Sequence, residues 1–139
     1  MTIALSEIVM MVEKETVAAK QTELLKKHSS PALKAIIGYA MDPGVKWLLP
    51  PGTPPYKPVE NGSDVEGQLY HETKKLIHFV NSPDGRKLKP LKREQLFLQL
   101  LESIDPADAK LMIRVKDKGL KGIQIAAVKA AWPGLTKGW

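Results

Sequence analysis

Apolar residues recur along this chain at helical spacing, with helix-start and helix-stop residues between the runs. From about Ser6 to His28 the stripe Ile8, Val9, Val12, Ala18, Ala19, Leu24 and Leu25 predicts a helical segment, and its phase shifts near Glu15, where a break is expected. Ser30-Pro31 sets an N-cap residue before a proline at the first helical position, predicting a helix through Leu33, Ile36, Ile37 and Ala40. Asp42-Pro43 repeats that start signal for a short turn ending near Trp47. The five prolines between Pro50 and Pro58 exclude a regular element and predict a stiff, extended crossing of the surface. A helix from about Glu66 to Asn81 follows, with Leu69, Leu76, Ile77 and Val80 facing inward, and "SPDGRKLKP" reads as a turn. The next helix, about Leu91 to Ile104, carries Leu91, Leu96, Phe97, Leu100 and Leu101. Asp105-Pro106 with Asp108 opens another, through Leu111, Met112 and Val115. Gly119 is expected to stop it, and Gly122 to cap a last helix through Ala131. Strand signals are weak throughout, so the reading is an all-α fold, a single compact bundle of about six or seven helices with a Pro-rich crossing loop.

Length and composition narrow this picture. A chain of 139 residues with 43% hydrophobic content supports one domain with a real core. Cysteine is absent, which excludes disulfides, thiolate zinc sites and thiol catalysis. The opening "MTIALSEIVMMVEKE" lacks a basic leader and breaks its apolar run at Ser6 and Glu7. It reads as neither signal peptide nor membrane span, so a cytoplasmic protein without membrane contact is expected. "NGS" at residues 61–63 is then a turn and not a glycosylation site.

Charge changes the picture more. From Arg86 to Trp139 there are 12 Lys/Arg against 5 Asp/Glu, a net of +7, whereas residues 1–85 carry a net of −1. Excess cations concentrated in one part of the chain suit a polyanion such as nucleic acid. The same charge also serves solubility, and both readings stand on composition alone.

Catalytic chemistry has little support. His71 and His78 lie two turns apart on one predicted helix, a spacing that is not a recognised metal pair, and together with His28 they read as structural. Ser29 and Ser30 read as helix-start residues, and Asp42, Asp105 and Asp108 as caps. No Walker loop, dinucleotide fingerprint or zinc-protease helix occurs, so neither an enzyme nor a cofactor or metal is expected. Pro51 and Pro54 fit a loose P-x-x-P ligand, but Trp47, Leu48, Leu49 and Tyr56 bracket the prolines and predict a segment stapled to the core.

Two basic constellations remain. Arg86, Lys87, Lys89, Lys92 and Arg93 gather at one helix start, where positive charge opposes the helix dipole. Lys116, Lys118 and Lys121 surround Gly119 and Gly122 ahead of the last helix. There, free N–H groups around Gly122, Ile123 and Gln124 would make a phosphate cradle. A glycine-stopped helix with solvated lysines is the alternative.

The stretch "RVKDKGLKGIQIAAVKAAWPGL" resembles the last helical hairpin of the N-terminal DNA-binding domain of ATP-dependent DNA ligases of T-even-type phages. "LLKKHSSPALKAIIGYAMDPGVKWLLPPGTPPY" and "LKREQLFLQLLESIDPADAKLMIR" resemble earlier parts of the same domain more weakly, and the chain is also similar to small phage proteins. The ligase nucleophile motif Lys-x-Asp-Gly has no counterpart, and the chain ends at Trp139 where a catalytic domain would follow. The resemblance therefore implies a free-standing, non-enzymatic relative over residues 1–139 that holds double-stranded DNA, nicked or intact, in the host cytoplasm. It implies that Lys118, Gly119, Lys121, Gly122 and Ile123 approach the sugar-phosphate backbone, with Lys116 and Gln124 beside them. Lys87, Lys89, Lys92 and Arg93 join from charge alone. The rival expectation is an adaptor or inhibitor of a phage or host replication, repair or transcription protein, with Trp139 as an anchor.

Overall fold

The structure is a computed structural model that describes residues 3–60, 65 and 67–135. Among the described residues it is all-helical, with eight α-helices and one 3₁₀ helix, more elements than the apolar pattern predicts. Helix α1 (Leu5–Lys14) buries Leu5, Ile8, Val9 and Val12 at helical spacing, and α2 (Ala18–Lys27) follows after an extended Glu15. That gap is the break expected from the phase shift. Helix α3 (Pro31–Met41) starts as predicted, with the Ser30 hydroxyl accepting from Leu33 N–H at 3.0 Å.

Asp42 heads the short turn predicted there. It ends α3, and its carboxylate accepts from Gly44 N–H at 2.8 Å in a tight turn with no helix after it. The chain then pairs briefly with the distant residues 79–81 through the bridge Trp47–Val80 and the bond from Leu48 N–H to Phe79 O at 2.8 Å. The Pro-rich segment crosses the surface as an irregular strap, with Leu49 and Tyr56 packed against the core as expected. The 61–63 turn, the predicted start at Glu66 and the terminal Trp139 lie outside the described residues.

Where one regular helix was predicted to Asn81, α4 (Gln68–Glu72) gives way to a 3₁₀ helix (Thr73–Phe79). Leu69, Leu76 and Val80 are buried as predicted, while Ile77 is only half-buried. The predicted "SPDG" turn is a short helix, α5 (Pro83–Lys87), because the Ser82 hydroxyl caps Gly85 N–H at 2.9 Å with Pro83 at the first position. Helix α6 (Pro90–Ser103) buries Phe97, Leu100 and Leu101, but Leu91 faces solvent with 68% of its surface exposed. Helix α7 (Pro106–Lys116) starts from the predicted Asp105 cap, and α8 (Ile125–Ala131) closes the described fold.

One apolar cluster draws on every helix except α5. Phe79 and Phe97 meet edge-to-face at 5.3 Å within it. Helix α8 packs along α2, and α7 packs between α1 and α3, so the N-terminal and C-terminal thirds of the chain interlock.

Candidate nucleic-acid interface

The turn between α7 and α8 carries the basic cluster with the strongest sequence signal. Helix α7 ends in a Schellman arrangement, in which Lys118 N–H donates to Val115 O at 3.0 Å and Gly119 N–H to Arg114 O at 2.7 Å. The left-handed residue that this motif needs is Lys118, with φ of 56°, and not a glycine. Gly119 follows it, one place later than a glycine stop would stand. The Lys118 amine reaches the C-terminal end of α3 and donates to Asp42 O at 2.6 Å, where the helix dipole favours a cation. Desolvation lowers the Lys118 pKa below the ordinary lysine value, with the Asp42 carboxylate opposing.

The expected cradle of free N–H groups does not form at Ile123 and Gln124. Ile123 is buried, and its N–H faces Leu120 O at 3.4 Å. Gln124 N–H donates to the Gln21 side chain at 2.9 Å, and the Gln21 amide nitrogen in turn donates to Gly122 O at 2.9 Å. Gln21 also reaches Val12 O and Glu15 O, so one buried amide ties the α1–α2 break to the α8 turn. The cap of α8 is Gln124 and not Gly122. Gly122 itself is exposed at the tip of the turn, beside exposed Lys121.

Two predicted cations are turned inward. Lys116 is 4% exposed, donating to Pro50 O at 2.9 Å and to Asp117 at 2.6 Å, while Asp117 accepts from Gly52 N–H at 3.1 Å. These bonds pin the Pro-rich strap onto the end of α7. Arg93 is 7% exposed and donates to Leu48 O, Gly85 O and Leu88 O, so its guanidinium ties the loop before the strap to α5 and its C-terminal cap. Its place near a helix start therefore reflects internal bonding and not a surface anion site. Lys87, Lys89 and Lys92, with Arg86, stay exposed around the start of α6, and among the described residues none of the four forms an ion pair.

Concavities border the lysines of the α7–α8 turn. A shallow groove of about 610 Å³ runs past Pro43, Lys46 and Trp47 to Lys118. A second, of about 590 Å³, continues from Lys118 past Met41 to Lys121, Gln124 and Ile125. A third hollow, of about 400 Å³, lies between the strap and α6 and shares Leu49, Pro51 and Lys116 with the first. Leu91 at the α6 start thus lines the third hollow and Lys121 before α8 the second, while Lys87, Lys89 and Lys92 line none of the three. Lys46 was missed by the sequence reading; its only local signal is its place beside Trp47. No local signal marks Gln21, whose role depends on a turn one hundred residues away.

Among the described residues, no helix is long and apolar enough to cross a membrane. No curated protein and no solved structure matches the chain. A model for a family of unknown function, DUF6433, matches residues 8–122, from α1 to the turn before α8, and the chain belongs to that family.

Proposed function

We propose that this chain is a non-catalytic, sequence-nonspecific duplex-DNA-binding protein of phage type. The observation that carries the reading is Lys118, a non-glycine residue held in left-handed backbone at the junction of two open grooves that also present Lys46 and Lys121. Backbone strain of this kind persists where surrounding structure holds it and concentrates at functional positions. The charge asymmetry of the chain and its resemblance to the ligase DNA-binding domain support the same reading. Phosphates are met by lysine side chains and by the exposed tip at Gly122, with Lys87, Lys89 and Lys92 extending the contact toward α6. Such contacts fix position on the duplex without reading base sequence.

A gel-shift of nicked and intact duplexes at two salt concentrations tests it. Neutralising about four to six phosphates predicts a slope of log affinity against log salt of roughly −4 to −5. A flat salt response removes the reading.

A second reading, a protein-interaction adaptor, is favoured by apolar side chains left in solvent around the α1–α2 corner: Met10, Met11 and Val17 at 51%, 37% and 48% exposed. Recovery of one stoichiometric partner that resists nuclease treatment would support it.

A further inference from the structure

We propose that the hollow between the Pro-rich strap and α6 accepts one unstacked nucleobase, so that DNA with an unpaired base is the preferred ligand. This rests on the DNA-binding reading above and names its substrate class more closely.

The hollow has a volume of about 400 Å³. That lies within the range of about 300–1,000 Å³ typical of small-ligand pockets. Its walls are the rings of Pro51, Pro54 and Pro55 on one side and Leu91 and Leu98 on the other, above Phe97. The proline rings are apolar and have almost no rotamer freedom to lose, and the leucines add apolar contact. Leu91 is 68% exposed, the most exposed large apolar side chain among the described residues, and it stands at the mouth with little cover.

The hollow is also preformed. The strap is fixed at Gly52 by Asp117, at Pro50 by Lys116, and at Lys57, whose N–H donates to Glu102 at 2.8 Å. A ligand entering it meets walls that are already ordered, which lowers the entropy cost of binding.

Charge selects which part of a nucleotide enters. Glu94 and Gln95 lie on the α6 side of the hollow, and a carboxylate there repels phosphate. The same carboxylate accepts hydrogen bonds from the exocyclic amines of adenine, cytosine and guanine. Lys116, which also lines the hollow, is neutralised by Asp117, and further cations neighbour its lining residues. Lys89 and Lys92 bracket Leu91 at the start of α6, and Lys46 and Lys118 line the adjoining groove. A strand held by these lysines presents its backbone outside the hollow and a neutral base to its apolar interior. Removing a base from the stack costs least where that base has no pairing partner.

The test uses the full chain and two fluorescent duplexes, one with 2-aminopurine as a single bulged base and one with it paired in an intact helix. The bulged duplex is expected to bind about tenfold more tightly, with a change in 2-aminopurine emission on binding. Thr53→Trp, placed on the exposed strap beside the hollow, is expected to fill it. This variant should bind both duplexes with the affinity that the wild type shows for the intact one.

Equal wild-type affinity for the two duplexes with unchanged emission overturns the base as occupant, while duplex binding itself stands. Preference retained in Thr53→Trp, with its fold verified by circular dichroism, overturns the hollow as the place. Binding to neither duplex removes the underlying reading and this inference with it.

Discussion

The backbone N–H of Ser6 donates to the carboxylate of Asp108 at 3.0 Å, so the first turn of α1 is capped from α7, 102 residues away in sequence. Asp108 reads as a cap for its own helix, yet its bond goes to another helix start, and the residue is 1% exposed. Burial pushes the Asp108 carboxyl above its ordinary value, with the bonds from Ser6 opposing. A carboxyl raised on folding holds its proton more tightly in the folded state. Its stabilising contribution is therefore complete below the unfolded-state value of about 3.9 and declines as pH rises through the folded value. Asp108→Asn keeps an acceptor for Ser6 and cannot ionise, so urea titrations between acid and neutral pH should show a flatter profile than wild type. Asp108→Ala should cost about 1–2 kcal/mol. An unchanged pH profile in the Asn variant contradicts the assignment.

Lys118 permits a direct measurement of backbone strain. Glycine relieves the left-handed penalty but loses the amine bond to Asp42 O, whereas alanine loses the bond and keeps the penalty. Lys118→Gly should therefore exceed Lys118→Ala in stability by about 1 kcal/mol in chemical denaturation. Equal stabilities would mean that the turn relaxes.

Two glycines should respond very unequally to alanine. A Cβ at Gly85 would lie 2.0 Å from Val80 O, a backbone atom that cannot step aside. At Gly122 the nearest atoms are 3.1 Å away on the Glu13 side chain. Gly85→Ala should lose about 3 kcal/mol or more by overpacking, and Gly122→Ala less than about 1 kcal/mol. Thermal melts of the two variants check the order.

Arg93 is expected to act on stability and not on DNA affinity. Its three carbonyl partners require a planar fork that lysine lacks. Arg93→Lys should destabilise by about 2 kcal/mol, and Arg93→Ala by more. Duplex affinity per folded molecule should hold in both. A tenfold loss of affinity in Arg93→Lys, under conditions where it is folded, would return this residue to the interface.

Charge reversal at the turn has the complementary signature. The double variant Lys118→Glu with Lys121→Glu should abolish duplex binding at moderate salt while the far-ultraviolet spectrum stays helical. Retained affinity would place the turn outside the interface.

The fold is legible in the sequence where its cause is local. Ser30-Pro31 and Asp105-Pro106 announce helix starts because the cap and the helix it serves are contiguous. Ser82-Pro83 carries the same signal, but the following Asp84-Gly85 favoured a turn, and the short α5 was missed. The change from α to 3₁₀ geometry after Glu72 has no composition of its own; the 3₁₀ helix packs against α3, α5 and α6. The candidate site divides the same way. Clustered lysines are visible in one dimension, but the inward turn of Lys116 and Arg93 depends on carbonyls from Pro50 and Leu48, across a fold the pattern does not draw. Asp108 and Gln21 belong to this class as well, since each serves an element about one hundred residues away.

Those distant bonds also bear on the order in which the molecule comes into being. Ser6 waits for Asp108, Gln21 for Gly122, and Thr22, whose hydroxyl donates to Ala127 O at 3.1 Å, for α8. During synthesis the first two helices can pack on one another, but their contacts with α7 and α8 wait until those helices leave the ribosome. Closing loops of this length sets a late, concerted step in folding. The nascent chain is thus most open to aggregation or chaperone capture in the interval before α7 and α8 are released.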